Sequence, residues 1–254
     1  MLNRLNAIKF VMAVSFVSTL ILALFYSSVK DRVEENVLLD KKQSILKTIG
    51  IDTSILSSDE VDLKYKNHID ELVIDADGNI VDNVLLSDII WKEDKSTGMT
   101  NYLYSGNENQ YLPLYRSKDE NGDITGYIIP ISGKGLWSTM MGYFAIGEDK
   151  DSVLGIVFYS HGETPGLGAE VDKPWFQDQF KSGKKIFDRN EKQEKNDLVS
   201  IVVNKKKNTS EELHQVDGIT GATVTSDGIT KFLKRDLERY LKFLKNKDIV
   251  DAKE

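Results

Sequence analysis

Tyr111-Leu112-Pro113-Leu114-Tyr115, Ile124-Thr125-Gly126-Tyr127-Ile128-Ile129-Pro130-Ile131, Met140-Met141-Gly142-Tyr143-Phe144-Ala145-Ile146 and Val153-Leu154-Gly155-Ile156-Val157-Phe158-Tyr159 are four apolar runs of strand length, rich in β-branched and aromatic side chains. Asp119-Glu120-Asn121-Gly122-Asp123 separates the first two, and Gly147-Glu148-Asp149-Lys150-Asp151 separates the last two. Both are polar turns with glycine, so each pair reads as a hairpin. Upstream, Glu71–Ile74 and Asn79–Val84 flank Asp75-Ala76-Asp77-Gly78, a third hairpin signature. Asp-x-Asp-Gly also resembles part of a calcium loop, but the distal glutamate is missing at the required spacing, so turn chemistry is the reading. Three hairpins in succession predict an antiparallel sheet, and helical segments around it make the class α+β.

Working outward to the C-terminus, Lys173–Phe180 reads as a short helix with Pro174 in its first turn. Leu198–Val203 reads as a last strand, followed by Lys205-Lys206-Lys207, a solvated face. Asn208-Thr209-Ser210 fits a glycosylation pattern that is common by chance. From about Ser226, Ile229, Phe232, Leu233, Leu237, Tyr240, Leu241 and Leu244 recur every three or four residues among charges, the strongest amphipathic helix of the chain, and a polar tail follows. Toward the N-terminus, Ser57-x-x-Glu60 is a capping box opening a short helix. Val33, Val37, Leu38, Ile45, Leu46 and Ile49 follow a near-helical spacing. Phe10 to Val29 is a run of 20 residues without a charge, long enough to cross a bilayer, with Phe25-Tyr26 at one end. Ser27-Ser28-Val29 is a poor cleavage site, which favours an uncleaved anchor. The expected division is a tail at 1–9, an anchor at 10–29, a connecting helix at 30–56 and an α+β domain at 57–254.

The chain has 254 residues and a formal net charge of −7, with no basic stripe carrying interleaved aromatics, which argues against nucleic acid as a partner. With no cysteine it has no disulfides, thiolate nucleophile, Cys-ligated iron–sulfur cluster or covalent c-type haem. His68, His161 and His214 show no ligand spacing, so no metal site is expected.

Three segments could carry chemistry. Asp217-Gly218-Ile219-Thr220-Gly221-Ala222-Thr223-Val224-Thr225-Ser226 places three threonines within six residues just before the amphipathic helix. Glycines permit a sharp bend, and a helix N-terminus favours phosphate. Ser132-Gly133-Lys134-Gly135-Leu136-Trp137-Ser138 interrupts the strand run between two hairpins. It suits approach to an anion and offers an apolar, stackable pair, although composition alone favours an ordinary loop with a core tryptophan. His161-Gly162-Glu163-Thr164-Pro165-Gly166-Leu167-Gly168-Ala169-Glu170 has the glycine density of a loop against which something flat could lie, or of a plain strand-to-helix connection.

In combination these segments resemble a known family. Asp217-x-x-Thr220-Gly221-Ala222-Thr223 is similar to the D-x-x-[S/T]-G-A-T acceptor motif of flavin transferases. With the anchor, Val37-Leu38-Leu39-Asp40-Lys41-Lys42, Gly133-Lys134-Gly135-Leu136-Trp137 and Gly162-Glu163-Thr164-Pro165-Gly166-Leu167-Gly168, nearly the full length resembles the C-type (NqrC) subunits of the sodium-translocating NADH:quinone reductases. The resemblance implies FMN esterified through its phosphate to Thr223, with Asp217, Thr220, Gly221 and Ala222 as the recognition turn and Thr225 as an alternative acceptor. It further implies FMN contacts from Lys134, Leu136, Trp137, Glu163, Thr164, Gly166, Leu167, Gly168 and Thr225. The expected partners are the other membrane subunits of the complex, a flavin transferase and the membrane. The domain is expected on the periplasmic side of the inner membrane, carrying electrons in a complex that couples NADH oxidation by quinone to sodium export. An unactivated threonine with no histidine partner at a sensible spacing fits an acceptor, and no catalytic acid or base is found. The alternatives are the corresponding G-type subunit of an Rnf ferredoxin:NAD complex, or an anchored ligand-binding or sensor domain without a redox cofactor.

Overall fold

The computed structural model describes residues 2–104, 110–189, 195–205 and 212–246. Lys206, Lys207, the glycosylation pattern at 208–210 and the tail after Asn246 lie outside the described residues. The chain divides into two compact units, residues 1–41 and 42–254. In the first, helix α1 (Leu2–Thr48) has its apolar side chains exposed. Among the described residues it is the one helix long and apolar enough to cross a membrane.

The second unit begins with the end of α1, where Ile45, Leu46 and Thr48 are buried. Helix α2 (Ser58–His68) opens on the capping box: the Glu60 amide donates to Ser57 Oγ, and the Ser57 amide donates to Glu60 Oε2 at 2.8 Å. Strand β1 (Ile69–Ile74) follows, then β2 (Ile89–Glu93), β3 (Thr100–Tyr104), β4 (Leu112–Lys118), β5 (Ile124–Lys134), β6 (Thr139–Gly147) and β7 (Val153–Ser160). The main sheet is antiparallel in the order β1-β4-β5-β6-β7. Two of the three hairpins form as β4–β5 and β6–β7. The third does not: beyond Asp75–Gly78 the return arm makes only an isolated bridge, Ile74 with Ile80, and β1 pairs with β4 instead. Turn chemistry there was legible, since Asp75 Oδ1 accepts the amides of Asp77 and Asn79, but partner choice is a long-range matter.

Strand β5 is buried on both faces over most of its length. Odd positions Tyr127, Ile129 and Ile131 join the main core, where they meet Ile229, Phe232, Leu233 and Leu237 of helix α4 (Thr223–Arg239). The close approach is built in by glycine: a Cβ on Gly133 would strike the Phe232 ring, and one on Gly228 would strike the Lys134 carbonyl oxygen. Asp236 fastens the same pair of elements. Its buried carboxylate accepts the Ser132 amide at 2.8 Å and the Arg235 guanidinium, and burial pushes its pKa up against that cationic neighbour. On the other face, α2 packs on β1 and β4, and Tyr65 donates to Glu71 at 2.8 Å.

The hairpin β2–β3 has no counterpart among the predicted elements. It is held by a T-shaped Trp91–Tyr102 pair at 5.1 Å and by the Thr100 amide donating to Ser132 Oγ on β5. After β7 come the short helix α3 (Pro174–Gln177), which a 3-10 turn extends to Lys181, and strands β8 (Phe187–Arg189), β9 (Lys195–Leu198), β10 (Val202–Asn204) and β11 (Gln215–Asp217). The expected strand 198–203 is broken at Ser200, which has φ +68°. Its second half, β10, pairs in parallel with β11, which delivers the chain to the head of α4. A short helix α5 (Leu241–Lys245) closes the described chain.

Candidate functional site

The Thr/Gly turn is built by hydrogen bonds from several elements. At the end of β11, the Asp217 amide donates to Gln179 Oε1 at 2.7 Å, and Gln179 Nε2 donates back to the Asp217 carbonyl at 3.3 Å. Ile219 is buried, its amide donates to Ser226 Oγ, and the Ala222 amide donates to the Ile219 carbonyl at 3.0 Å. Gly221 sits at φ +81°, a left-handed conformation that makes glycine the natural residue at this bend. Ala222 occupies the N-cap position and offers no side-chain cap, so helix α4 starts at Thr223, three residues earlier than the periodicity predicts. Thr220, Gly221, Thr223 and Val224 are exposed. The uncapped first turn and the helix dipole favour an anion beside the Thr223 hydroxyl.

Two residues later the environment inverts. Thr225 is 1% exposed, and its hydroxyl donates to Glu163 Oε2 at 2.6 Å. Glu163 is itself 5% exposed. Its carboxylate also accepts the amides of Leu136 at 3.1 Å, Trp137 at 3.0 Å and Ser138 at 3.4 Å. Burial pushes this carboxyl up, but the Thr225 hydroxyl and the three amides outweigh it and hold the pKa below the ordinary value. The Glu163 amide donates to His161 Nδ1, so that nitrogen accepts and Nε2, 2.8 Å from Asp172 Oδ2, carries the proton. The Gly162 amide donates to Ser138 Oγ at 2.6 Å and closes the two loops together a second time.

The 132–138 segment is not an irregular loop. Strands β5 and β6 pair up to Lys134 opposite Thr139, and the Gly135 amide donates to the Ser138 carbonyl at 2.9 Å. Gly135–Ser138 is therefore a tight hairpin turn with Leu136 and Trp137 at its tip. Trp137 is 72% exposed, which overturns the core-tryptophan expectation. Lys134 Nζ donates to Thr139 Oγ1 at 3.1 Å, whose hydroxyl in turn donates to Glu93. In the 161–170 loop, Thr164, Gly166 and Leu167 are exposed and Gly168 is buried. The Thr164 carbonyl accepts the amides of Leu167 and Ala169. The Leu167 side chain reaches the Thr/Gly turn: a Cβ on Gly221 would lie 3.0 Å from Leu167 Cδ2.

Leu136, Trp137, Leu167 and Val224 are thus exposed apolar side chains on three segments tied together through Glu163. The family resemblance implies Glu163 and Thr225 as contacts for a bound group, whereas their polar atoms are engaged with each other and with the hairpin amides. Gln179 and Lys184 were not predicted. Lys184 is buried, donates to the Glu212 carbonyl at 2.7 Å, and has its pKa lowered by burial against the opposing charges of Asp217 and Glu212. Neither lies within a motif: Gln179 meets β11 from the turn that extends α3, and Lys184 meets the segment just before β11.

Residues 135–238 match the FMN-binding domain family, a span that contains all three segments except Ser132–Lys134. The chain is 32% identical over 231 residues to the NqrC subunit of the Na(+)-translocating NADH-quinone reductase of Haemophilus ducreyi, covering 88% of this chain and 86% of the relative. It is 33% identical over 227 residues to the NqrC subunit of Vibrio vulnificus, covering 86% and 85%. The crystal structure of the same subunit from Parabacteroides distasonis superposes with a TM-score of 0.65 at 31% identity, covering 87% of this chain and 98% of that one. The Shewanella oneidensis NqrC structure shares the fold, with a TM-score of 0.59 at 23% identity and coverage of 83% and 97%. The chain belongs to the NqrC family, the C-type subunits of the Na(+)-translocating NADH-quinone reductases.

Proposed function

We propose that this chain carries FMN bonded through its phosphate to Thr223 Oγ1, and that it passes electrons within a membrane complex coupling NADH oxidation by quinone to sodium export. The observation that carries the reading is the exposure of Thr223 at the head of α4, beside the apolar side chains of Val224 and Leu167, while the hydroxyl of Thr225 is buried and engaged. The residues fit the group: phosphate suits the uncapped helix start, and the exposed Leu136, Trp137, Leu167 and Val224 suit a flat aromatic ring. A flavin transferase would form the new bond from threonine oxygen to phosphorus as the hydroxyl loses its proton and the nucleotide leaving group of an activated flavin donor departs. Bound FMN supplies the electron-carrying chemistry, and the chain supplies position, apolar cover and a fixed distance to neighbouring subunits. Asp217, Thr220, Gly221 and Ala222 present the acceptor, with Lys134, Thr164 and Gly166 near the ring, while Gly168 packs behind them against Glu163. The candidate span of α1 supports a membrane location, and the periplasmic placement of the domain is the part of this reading that rests on the family resemblance. Kinship with NqrC proteins supports this reading over the G-type subunit of an Rnf complex.

The test is co-expression of the full chain with a flavin transferase, followed by a denaturing gel. Fluorescence is expected to migrate with the wild-type band and to be lost in Thr223→Ala. A dark wild-type band beside an active transferase would sink the reading.

A further inference from the structure

We infer that Glu163 is the positioning residue of the flavin site: it clamps the Leu136-Trp137 hairpin tip onto helix α4 and withholds Thr225 from modification. The inference rests on the FMN reading above. One carboxylate joins three parts of the chain that are distant in sequence, by accepting three consecutive amides from the hairpin turn and the Thr225 hydroxyl from the first turn of α4. An anion held by successive backbone N–H groups in a water-poor setting is rigid, because every one of those donors would otherwise be left unpaired. The surroundings are cut to fit it. A Cβ on Gly135 would lie 2.5 Å from Glu163 Oε1, and a Cβ on Gly168 would lie 2.6 Å from Oε2 and 2.8 Å from Thr225 Oγ1. Glycines of both loops therefore serve the carboxylate itself, and only part of the glycine density remains for a ligand.

The clamp acts on both sides of the site. Trp137 and Leu136 have exposed side chains but fixed backbones, so the apolar edge offered to the ring keeps its distance from Thr223. Of the two threonines in Thr223-Val224-Thr225, the one whose hydroxyl could be modified by mistake is already a donor to a buried anion. Specificity for Thr223 then belongs to the acceptor protein as well as to the transferase.

The experiment uses the full chain in detergent, with and without co-expressed transferase, as wild type, Glu163→Gln, Thr225→Val and Gly168→Ala. Without flavin, amide hydrogen exchange at Leu136, Trp137 and Ser138 is expected to accelerate about tenfold in Glu163→Gln and in Gly168→Ala, with the rest of the sheet unchanged. With flavin, Thr223→Ala is expected to stay dark, whereas Thr223→Ala combined with Glu163→Gln is expected to gain covalent fluorescence at Thr225; a dark double variant overturns the withholding of Thr225. The visible circular dichroism and the midpoint potential of the bound flavin shift together in the variants that retain Thr223, a response that a residue stabilising the fold alone would not produce. Unchanged exchange at the three amides in Glu163→Gln overturns the clamp. Unchanged flavin dichroism and potential in all variants that retain Thr223 overturns the positioning role. A wild-type protein that takes up no flavin refutes the FMN reading instead, while the exchange measurement still judges the clamp.

Discussion

Replacing Thr225 by valine exchanges one hydroxyl for a methyl group of nearly the same shape, at a position 1% exposed to solvent. The hydroxyl donates to an ionised, buried carboxylate at 2.6 Å, and a hydrogen bond to a charged group contributes about 1.5–3 kcal/mol. The substitution also sets a methyl group against the anion, so no compensating gain in apolar burial is expected. For a domain of this size, about 1 kcal/mol moves the midpoint by roughly 2–4 °C, so Thr225→Val should lower Tm by roughly 3–12 °C. The identical change two residues away behaves in the opposite way. Thr223 is exposed at the first position of α4, and surface substitutions of that kind stay within about 0.5 kcal/mol. Thr223→Val should therefore melt like the wild type yet carry no flavin, whereas Thr225→Val should melt early and keep it. Thermal unfolding followed by circular dichroism, paired with in-gel flavin fluorescence, reads both quantities on the same samples. A Thr225→Val protein with wild-type Tm, or one that loses flavin while Thr223→Val retains it, would refute the assignment of roles within the Thr-Val-Thr triplet.

Acid should release the clamp. The Glu163 carboxyl is held below the ordinary carboxylate pKa in the folded chain, so its contribution is complete above the unfolded value of about 4.3 and is lost as pH falls through the lower folded value. The Tm gap between wild type and Glu163→Gln should accordingly be full at neutral pH and shrink as pH falls below the ordinary carboxylate range; a gap independent of pH would show that the ionised form is not what matters. Gly228→Ala sets two effects against each other: helix propensity favours alanine by about 1 kcal/mol, but the new Cβ would strike the Lys134 carbonyl. Because the obstacle is backbone, overpacking of about 1–3 kcal/mol should win, and urea unfolding should report a net loss; a stabilised variant would mean that α4 shifts off β5 at no expense.

The local features of this chain were legible in its residues because each rests on short-range physics. The capping box at Ser57 and Glu60, the Asp75–Gly78 turn, the apolar span within α1 and the amphipathic period of α4 all depend on neighbours within a few positions. The Thr/Gly turn was legible for the same reason, as a bend followed by a helix start. Strand partnership was not. The residues of β1 announce a hairpin with the segment just beyond, yet the strand pairs with β4, past the whole β2–β3 hairpin, since register follows from burial of a whole face and not from the turn. Likewise, composition made Trp137 a core residue, and only the continuous β5–β6 register placed it at an exposed hairpin tip. The division of labour between Thr223 and Thr225 is the sharpest case. As residues they are alike, and the motif spacing alone ranked one above the other. The helix start turns one hydroxyl to solvent, and a glutamate 62 positions away takes the other. Sequence determined which groups were present near the head of α4; tertiary contact decided which of them a ligand could reach, because accessibility and charge neighbours are properties of packing between segments that the chain brings together only on folding.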